Sequence, residues 1–254
     1  MEILITNDDG WGAEGIVALT DAMRLLGHVT VVAPEGPRSG MSNAISVNKP
    51  MTLRRLTDPE REDVAIYVTN GTPSDCMKLA LDGLFGSNPK NIDLVVSGIN
   101  HGYNASINCI YSGTMGAALI GAEHNIPSIG FSFAEETEHI DLSYFMPLLP
   151  KVMELLQETG WPENVCYNVN VPTGAIKGIR WTRQCKGHWT EEIVQRGEEN
   201  GELLYWLTGY YVNDEPQATD TDQWALAHGY ISIQPCGVDL THYPSLPEKR
   251  DVQI

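Results

Sequence analysis

Apolar residues in the first half of the chain follow two alternating patterns. Short continuous runs, typical of buried strands, occur at Ile3–Ile5, Val29–Val32, Val64–Thr69, Leu94–Val96 and Ile129–Phe133. Stripes with helical spacing lie between several of these runs, and the first comprises Ile16, Leu19, Met23 and Leu26, followed by Gly27. Because strands and helices alternate, the pattern predicts an α/β domain whose mostly parallel sheet is covered on both faces.

The helix after Thr69 has the clearest predicted start. Thr72 is a suitable N-cap, Pro73 fits the first helical position, and Asp75 favours the positive end of the helix dipole. The apolar stripe of this helix comprises Met77, Ala80, Leu81 and Leu84. Two later stripes comprise Met115, Ala118, Leu119 and Ala122 in one helix, and Leu149, Val152, Met153 and Leu156 in a second helix that ends at Gly160. We therefore expect three further helices against the sheet.

The alternation of strand and helix patterns ends in the second half of the chain. Further strands are predicted at Val165–Val171, Ile179–Gln184, Glu202–Val212 and Tyr230–Gln234, with a short helix at Asp222–Ala227 and a tail from about Pro244. The strand at Glu202–Val212 is long and rich in Tyr and Trp, which indicates an antiparallel hairpin that projects from the core. We expect one domain over residues 1–254, with about 174–215 as an extended hairpin used for oligomerisation.

Charge narrows the choice of ligand. The 254 residues carry 33 acidic and 16 basic side chains, a formal net charge of −17, and acidic stretches such as Glu135–Glu138 are expected on solvated loops. A surface this negative repels the phosphate backbone, so the composition argues against a nucleic-acid polymer as partner. A small anionic ligand is still compatible if a metal ion or a ring of amides supplies local positive potential.

Segment composition argues for a cytoplasmic protein. No apolar run approaches the roughly 18 residues that a membrane span needs, and the N-terminus lacks the features of a secretory signal. The five cysteines are scattered and form no C-x-x-C pair, which is typical of a reducing compartment. Cys76 and Cys109 have no obvious neighbouring base and are interpreted as packing residues.

Three predicted strands are followed by unusual polar loops. The loops are Asn7–Gly10 (NDDG), Ala33–Gly40 (APEGPRSG) and Ser97–Asn100 (SGIN). In an open parallel sheet, ligands bind beyond the carboxyl ends of the strands. If these strands are neighbours, the three loops converge at one rim of the sheet.

The converging loops carry a set of oxygen ligands. Adjacent carboxylates such as Asp8 and Asp9 destabilise each other unless positive charge lies nearby. Carboxylate, hydroxyl and amide oxygens suit a hard divalent cation, so Ser39 and Asn100 complete a candidate site for Mg²⁺ or Mn²⁺. A lone Asp-Asp pair would be better explained as a helix cap or as solvated side chains. The convergence of three loops favours the metal site.

A glycine-rich motif overlaps this set. Gly10–Gly15 matches G-x-G-x-x-G, with Gly10, Gly12 and Gly15 as its glycines, and Glu35 follows the second strand. The alternative function is therefore a dinucleotide-binding oxidoreductase. In such a protein the backbone amides bind the pyrophosphate directly, whereas here the carboxylates of Asp8 and Asp9, just before Gly10, would repel it. This favours the metal interpretation.

A second anion-suited segment is Tyr111–Thr114 (YSGT), just before a predicted helix. Its hydroxyls and backbone N–H groups at a helix N-terminus suit a phosphate. Simple capping of the helix by Ser112 or Thr114 is the alternative explanation. The seven histidines form no H-x-x-x-H pattern that would indicate a metal site.

These motifs together resemble the SurE family. The resemblance comprises the NDDG, SGIN and YSGT segments, Val32–Pro34 with Arg38–Gly40, Gly71–Cys76 (GTPSDC), Gly102 and Asn104, and weaker matches at Asn168–Pro172 and Gly229–Ile233. It spans nearly the whole chain, in order and at matching spacing. The loop Asn104–Ile110, which borders the proposed site, departs from the pattern expected of the family, so the resemblance implies no particular base preference.

The resemblance implies a Rossmann-like three-layer core, a C-terminal hairpin used in a homodimer or homotetramer, and metal-dependent hydrolysis of nucleoside 5′-monophosphates. It places one divalent ion per subunit, Mg²⁺ or Mn²⁺, on Asp8, Asp9, Ser39 and Asn100. Phosphate contacts fall on Ser112, Gly113 and Thr114, with Ser39 close to the same group.

The expected chemistry assigns the two carboxylates to catalysis. The metal would bind a phosphate oxygen and a water, and Asp9, more than Asp8, would orient or deprotonate that water. A covalent aspartyl phosphate is disfavoured because the Asp-x-Asp spacing of such phosphatases is missing. A non-catalytic nucleotide sensor is the remaining alternative.

Overall fold

The computed structural model describes residues 1–86, 88–134 and 139–245. The acidic stretch Glu135–Glu138 and the end of the expected tail, from 246 onwards, lie outside the described residues. The strands are β1 (Glu2–Thr6), β2 (His28–Pro34), β3 (Arg54–Leu56), β4 (Ala65–Thr69), β5 (Leu94–His101), β6 (Ser128–Phe133), β7 (Val165–Val171), β8 (Gly178–Trp181), β9 (Gly187–Thr190), β10 (Ile193–Glu199), β11 (Glu202–Leu207), β12 (Tyr210–Asn213) and β13 (Tyr230–Gly237). The α-helices are α1 (Glu14–Met23), α2 (Pro73–Lys78), α3 (Gly113–Glu123), α4 (Leu149–Thr159) and α5 (Asp222–Ala227). Single helical turns lie at Leu79–Leu84, Pro89–Asn91, Ser106–Ile110, Met146–Leu148 and Tyr243–Ser245.

The main sheet has the predicted, mostly parallel arrangement. Within the described chain it contains nine strands in the order β3-β4-β2-β1-β5-β6-β7-β13-β8. The six strands from β4 to β7 are parallel, while β3 and β13 run antiparallel to their neighbours β4 and β7. Strand β1 lies between β2 and β5, so the order along the sheet reverses there. Ligands bind at such a reversal in open α/β sheets.

Helices cover both faces of the sheet, which confirms the α/β class and its layered core. Side chains of α1 and α4, including Leu19 and Leu149, pack with Ile3 and Ile5 on one face. Side chains of α2 and α3, including Met77, pack with Leu4 on the other. Successive side chains of a strand point to opposite faces, so the run Ile3–Ile5 contributes to both apolar layers.

The predicted start of α2 is confirmed. Thr72 accepts a hydrogen bond from the Asp75 backbone N–H at 3.1 Å, and Asp75 accepts one from the Thr72 backbone N–H at 2.9 Å. This reciprocal pair is a capping box, with Pro73 at the first helical position. The carboxylate of Asp75 also accepts hydrogen bonds from Ser46, which ties the loop after β2 to this helix.

The first helix is shorter than its apolar stripe predicts. α1 ends at Met23, and Leu26 is 45% exposed. Residues 24–27 form a tighter turn, in which the N–H groups of Leu26 and Gly27 both donate to the carbonyl of Met23. Gly27 lies against the backbone of Met1, where an added Cβ would be 2.2 Å from the Met1 carbonyl oxygen. The chain therefore turns into β2 before Leu26 reaches the core.

The prediction of one long strand at Glu202–Val212 is wrong. The segment is divided at residues 208–209 into β11, which pairs with β10, and β12, which pairs with β9. Gly209 has φ +101° and Thr208 donates its N–H to the carbonyl of Glu192, so the chain bends there. The four strands β9–β12 (187–213) form what we call the arm.

Other differences concern strand lengths. β8 stops at Trp181 instead of continuing to Gln184, and β3, β9 and β10 were not predicted. All residues of β10 are exposed, so no apolar alternation marks that strand. No helix in the described part of the chain is long and apolar enough to cross a membrane.

Candidate functional site

The three polar loops meet at one rim, as predicted. The first two follow β1 and β2, whereas Ser97–Asn100 is not a loop but the carboxyl-terminal part of β5, which continues past the predicted end at Val96 to His101. β1 is the parallel neighbour of both β2 and β5. A cleft of about 580 Å³ opens there. Four of the predicted residues, Asp8, Ser39, Asn100 and Ser112, line it. The size falls in the range of small-molecule sites, and the polar groups come from separate loops on a rigid sheet.

Asp8 is the most deeply buried carboxylate of the cleft. Its side chain accepts a hydrogen bond of 2.5 Å from the Thr114 hydroxyl, and its main-chain carbonyl accepts one of 2.6 Å from the Arg38 N–H. Burial, followed by the negative charge of Asp9, raises the pKa of Asp8 to about 6, although the hydrogen bonds from Thr114 oppose this shift. The fold therefore holds an acid whose charged form is only partly compensated by protein groups.

Asp9 is the next residue along the chain, and its negative charge acts on Asp8. It is half-buried, and its side chain accepts the backbone N–H of His101 at 3.2 Å. Burial raises the pKa of Asp9, partly offset by that hydrogen bond and by the neighbouring His101 ring. Neither Asp8 nor Asp9 forms an ion pair with a lysine or arginine of the described chain.

Asn100 reaches the rim because strand β5 is irregular before it. The register with β6 shifts between Ser97 and Asn100, and Gly98 has φ +126°. A Cβ on Gly98 would lie 2.3 Å from the Phe131 carbonyl oxygen, so only glycine fits this close approach. The Asn100 amide nitrogen donates to the carbonyl of Gly102 at 2.6 Å. This bond fixes the side-chain amide, so the side-chain oxygen of Asn100 points away from Gly102.

The set Asp8, Asp9, Ser39 and Asn100 suits a hard divalent cation. Two unpaired carboxylates supply charge, and a serine hydroxyl and an amide oxygen supply neutral ligands of the type that Mg²⁺ and Mn²⁺ accept. Within the described residues, no three His, Cys, Asp or Glu side chains come together as metal ligands. A cation here would therefore depend on the neutral oxygens as well as on the aspartates.

The segment before α3 caps the helix and also contacts Asp8. Ser112 caps the helix, because its hydroxyl oxygen accepts the Met115 N–H at 3.1 Å. The Thr114 hydroxyl is directed at Asp8, so this side chain positions the carboxylate rather than facing the open cleft. Gly113 allows the approach, since a Cβ there would lie 3.0 Å from the Cβ of Asp8 and 3.0 Å from Pro73. The helix N-terminus therefore lies directly behind the carboxylate pair.

Sequence reasoning missed much of the cleft wall. The connection from β5 to α3 contributes His101, Gly102, Tyr103, Asn104, Asn108 and Tyr111, and the arm contributes Trp189, Glu192, Leu207 and Thr208. His101 Nε2 is buried and has no hydrogen-bond partner among the described residues. Gly102, Asn104 and Tyr111 were marked by the family motifs and Asn108 by the unusual sequence of the loop Asn104–Ile110, whereas nothing local marked the arm residues.

The glycine motif after β1 serves packing. A Cβ on Gly15 would lie 2.0 Å from the Ile99 carbonyl oxygen, so this glycine allows α1 to lie against β5. Helix α1 begins only at Glu14, and the carboxylates of Asp8 and Asp9 precede the motif, as the sequence argument anticipated. Cys76 is fully buried, and burial raises the pKa of its thiol to about 12, in agreement with a packing role.

Comparison with known proteins identifies the family. A family model described as Survival protein SurE matches residues 3–191. The 5′-nucleotidase SurE of Phocaeicola vulgatus is 41% identical over 250 residues, which covers 98% of this chain and 95% of that protein. The 5′-nucleotidase SurE of Flavobacterium psychrophilum is 43% identical over 248 residues, 96% and 94% of the two chains. The crystal structure of the SurE protein from Aquifex aeolicus has a TM-score of 0.80 and 33% identity, and the match covers 96% of each chain. With the motifs of the rim on a sheet of the same fold, this chain belongs to the SurE family.

Proposed function

We propose that this chain is a divalent-metal-dependent 5′-nucleotidase, which hydrolyses nucleoside 5′-monophosphates to nucleoside and phosphate. The observation that carries the proposal is the pair of unpaired, partly buried carboxylates at the sheet reversal, beside the N-terminus of α3. The names of the relatives from P. vulgatus and F. psychrophilum support the same reaction. The cleft is large enough for a nucleotide, whereas a phosphate alone would leave most of it empty.

Asp8, Asp9, Ser39 and Asn100 would hold one Mg²⁺ or Mn²⁺ per subunit. The support is their chemistry, because two anions and two neutral oxygens match a hard dication and the aspartates lack another counter-charge. When bound, the ion supplies Lewis-acid stabilisation of the phosphoryl oxygens.

The protein groups then have separate tasks. Ser112 and the backbone N–H of Gly113 hold the phosphoryl group at the positive end of α3, with Ser39 close to the same oxygens. Thr114 holds Asp8 in place through its hydroxyl. Asp9, fixed by the His101 N–H, orients the attacking water or takes its proton.

Phosphate release from a panel of nucleoside 5′-monophosphates tests this function. Activity should appear with Mg²⁺ or Mn²⁺, disappear with EDTA and return when the ion is restored. The same assay with the matching nucleoside 3′-monophosphates shows whether the enzyme prefers the 5′ or the 3′ ester. Tight binding without turnover would instead identify a nucleotide sensor, and undiminished activity in EDTA would contradict the metal site.

The arm suggests how subunits assemble. Leu203, Tyr205 and Leu207 of β11 are 51%, 54% and 76% exposed, which is unusual for apolar residues on one strand face. We propose a homodimer or homotetramer joined partly through the arm. We also propose a cytoplasmic location, which the five free cysteines support.

A further inference from the structure

Part of the cleft wall is built where the arm meets the turn at Ser106–Ile110. Ser106 joins the two, because its hydroxyl donates to the Cys185 carbonyl at 2.8 Å and accepts from the Tyr211 hydroxyl at 2.8 Å. The buried carboxylate of Asp222 accepts the N–H groups of both Ser106 and Cys185, at 2.7 and 3.0 Å. The turn and the base of the arm are therefore held in one fixed arrangement.

Within this arrangement, Trp189 sets the orientation of Asn108. The indole Nε1–H of Trp189 lies 2.7 Å from the Asn108 side-chain oxygen. An indole N–H can only donate, so the atom facing it must be the amide oxygen and the amide NH₂ must occupy the other position. This NH₂ has no hydrogen bond with another described residue. Asn108 lines the cleft, so it offers donors to a ligand while its oxygen is engaged.

A complementary acceptor comes from the arm. Glu192 also lines the cleft, and its carboxylate forms no hydrogen bond in the part of the chain that the structure describes. Its backbone is held by the Thr208 N–H, which donates to the Glu192 carbonyl at 2.7 Å. Tyr103 and Tyr111 add aromatic surfaces on which a base can stack. A ligand edge with an acceptor next to a donor would match Asn108 and Glu192 together.

We propose that this end of the cleft selects keto bases, namely guanine, hypoxanthine and uracil, over the amino bases adenine and cytosine. The inference rests on the proposed nucleotidase function. Keto bases carry a carbonyl oxygen next to a ring N–H, so the Asn108 NH₂ donates to the oxygen and Glu192 accepts the N–H. Adenine and cytosine present an amino donor next to a bare ring nitrogen. That reversed pattern would leave both protein groups without partners.

Two matched substrate pairs test the proposal. Inosine and adenosine 5′-monophosphates differ at the keto or amino position, and so do uridine and cytidine 5′-monophosphates. The ratio of kcat/KM, keto over amino, should be roughly 5- to 150-fold, the range expected for a hydrogen-bonded pair that distinguishes bases. Asn108→Asp replaces the donor by an acceptor and should lower the ratio toward or below one. Asn164→Asp is the matched control, because Asn164 precedes the amino-terminal end of β7 and the cleft lies at the carboxyl ends of the strands. This variant should leave the ratio unchanged.

Each failure has a separate meaning. Equal kcat/KM for both members of each pair would overturn base selection while leaving the nucleotidase function intact. A wild-type ratio that Asn108→Asp does not alter would overturn the role of Asn108. Release of phosphate from p-nitrophenyl phosphate, which has no base, tests the phosphatase chemistry by itself. If the wild type hydrolyses none of these esters, the proposed function fails, and calorimetric binding of inosine and adenosine monophosphates then decides the base preference.

Discussion

Thr114 donates its hydroxyl hydrogen to Asp8 Oδ1 at 2.5 Å, joining the first turn of α3 to the end of β1. This bond orients a carboxylate that burial would otherwise favour in its neutral form. It also means that the helix N-terminus positions the acid, in addition to its proposed role of offering N–H groups to phosphate.

Removal of the Thr114 hydroxyl should therefore weaken the metal site. We expect Thr114→Ala to lose about 10- to 100-fold in metal affinity or activity, the usual effect of losing a group that orients a metal ligand. Thr114→Ser retains the hydroxyl and is the matched control. Calorimetric titration with Mn²⁺ and the rate of phosphate release measure the two effects. Normal metal binding in Thr114→Ala would show that this bond does not orient Asp8.

Asp8 and Asp9 should matter more than Ser39 and Asn100. Loss of one carboxylate removes half of the anionic charge in the proposed set, whereas a water can replace a neutral ligand. We expect Asp8→Asn and Asp9→Asn to lower activity by roughly 100-fold or more, on the scale of losing one preorganised electrostatic contact. Excess Mn²⁺ should rescue Ser39→Ala better than either aspartate variant. Wild-type metal binding by both Asn variants would place the site elsewhere.

The stability of the metal-free protein should depend on pH through Asp8. The folded-state pKa is about 6, above the ordinary value of 3.8, so the folded state binds the proton more tightly than the unfolded state. The destabilisation is fully present above about pH 7 and disappears as the pH falls through 6 toward 4. The difference amounts to about 3 kcal/mol, since each pKa unit corresponds to about 1.4 kcal/mol. Urea unfolding in EDTA at pH 5 and pH 7.5 should show roughly half of this difference, about 1.4 kcal/mol, because Asp8 of the unfolded chain is still mostly ionised at pH 5.

Asp8→Asn is the control for this pH dependence. The amide does not titrate, so the variant should be more stable than the wild type at pH 7.5, and the gap should narrow at pH 5. Parallel changes in the two proteins across this window would assign the pH dependence to other groups.

Charge placed on the exposed face of the arm should separate subunits. Leu203→Glu combined with Tyr205→Glu puts two carboxylates on one face of β11. If this face lies in a subunit interface, the variant should have a lower mass by light scattering, because buried unpaired charge destabilises association. Leu240→Glu, at a position that is 93% exposed outside the arm, is the control. An unchanged mass in the double variant would exclude this face from the interface.

Much of the fold follows from local sequence patterns. The capping box of Thr72 and Asp75 involves residues three positions apart, and β1 and β6 are marked by continuous apolar runs. The convergence of Asp8, Ser39 and Asn100 was also predictable, because the carboxyl ends of neighbouring parallel strands meet at one rim. The chemistry of these side chains was then enough to suggest a hard cation. Asp9 follows Asp8 in the same loop, and its carboxylate accepts the N–H of the cleft residue His101.

The rest depends on contacts between distant residues. The bond from Thr114 to Asp8 spans 106 positions and that from Trp189 to Asn108 spans 81, so neither leaves a periodic signal in the sequence. The bend at Gly209 divides the predicted long strand, so that β11 pairs with β10 and β12 pairs with β9. The residue types of the chain determined the sheet, its rim and the chemistry of the rim. Only tertiary packing decided which carboxylate is buried and which groups line the cleft, since burial and hydrogen-bond direction arise from surfaces that meet after folding.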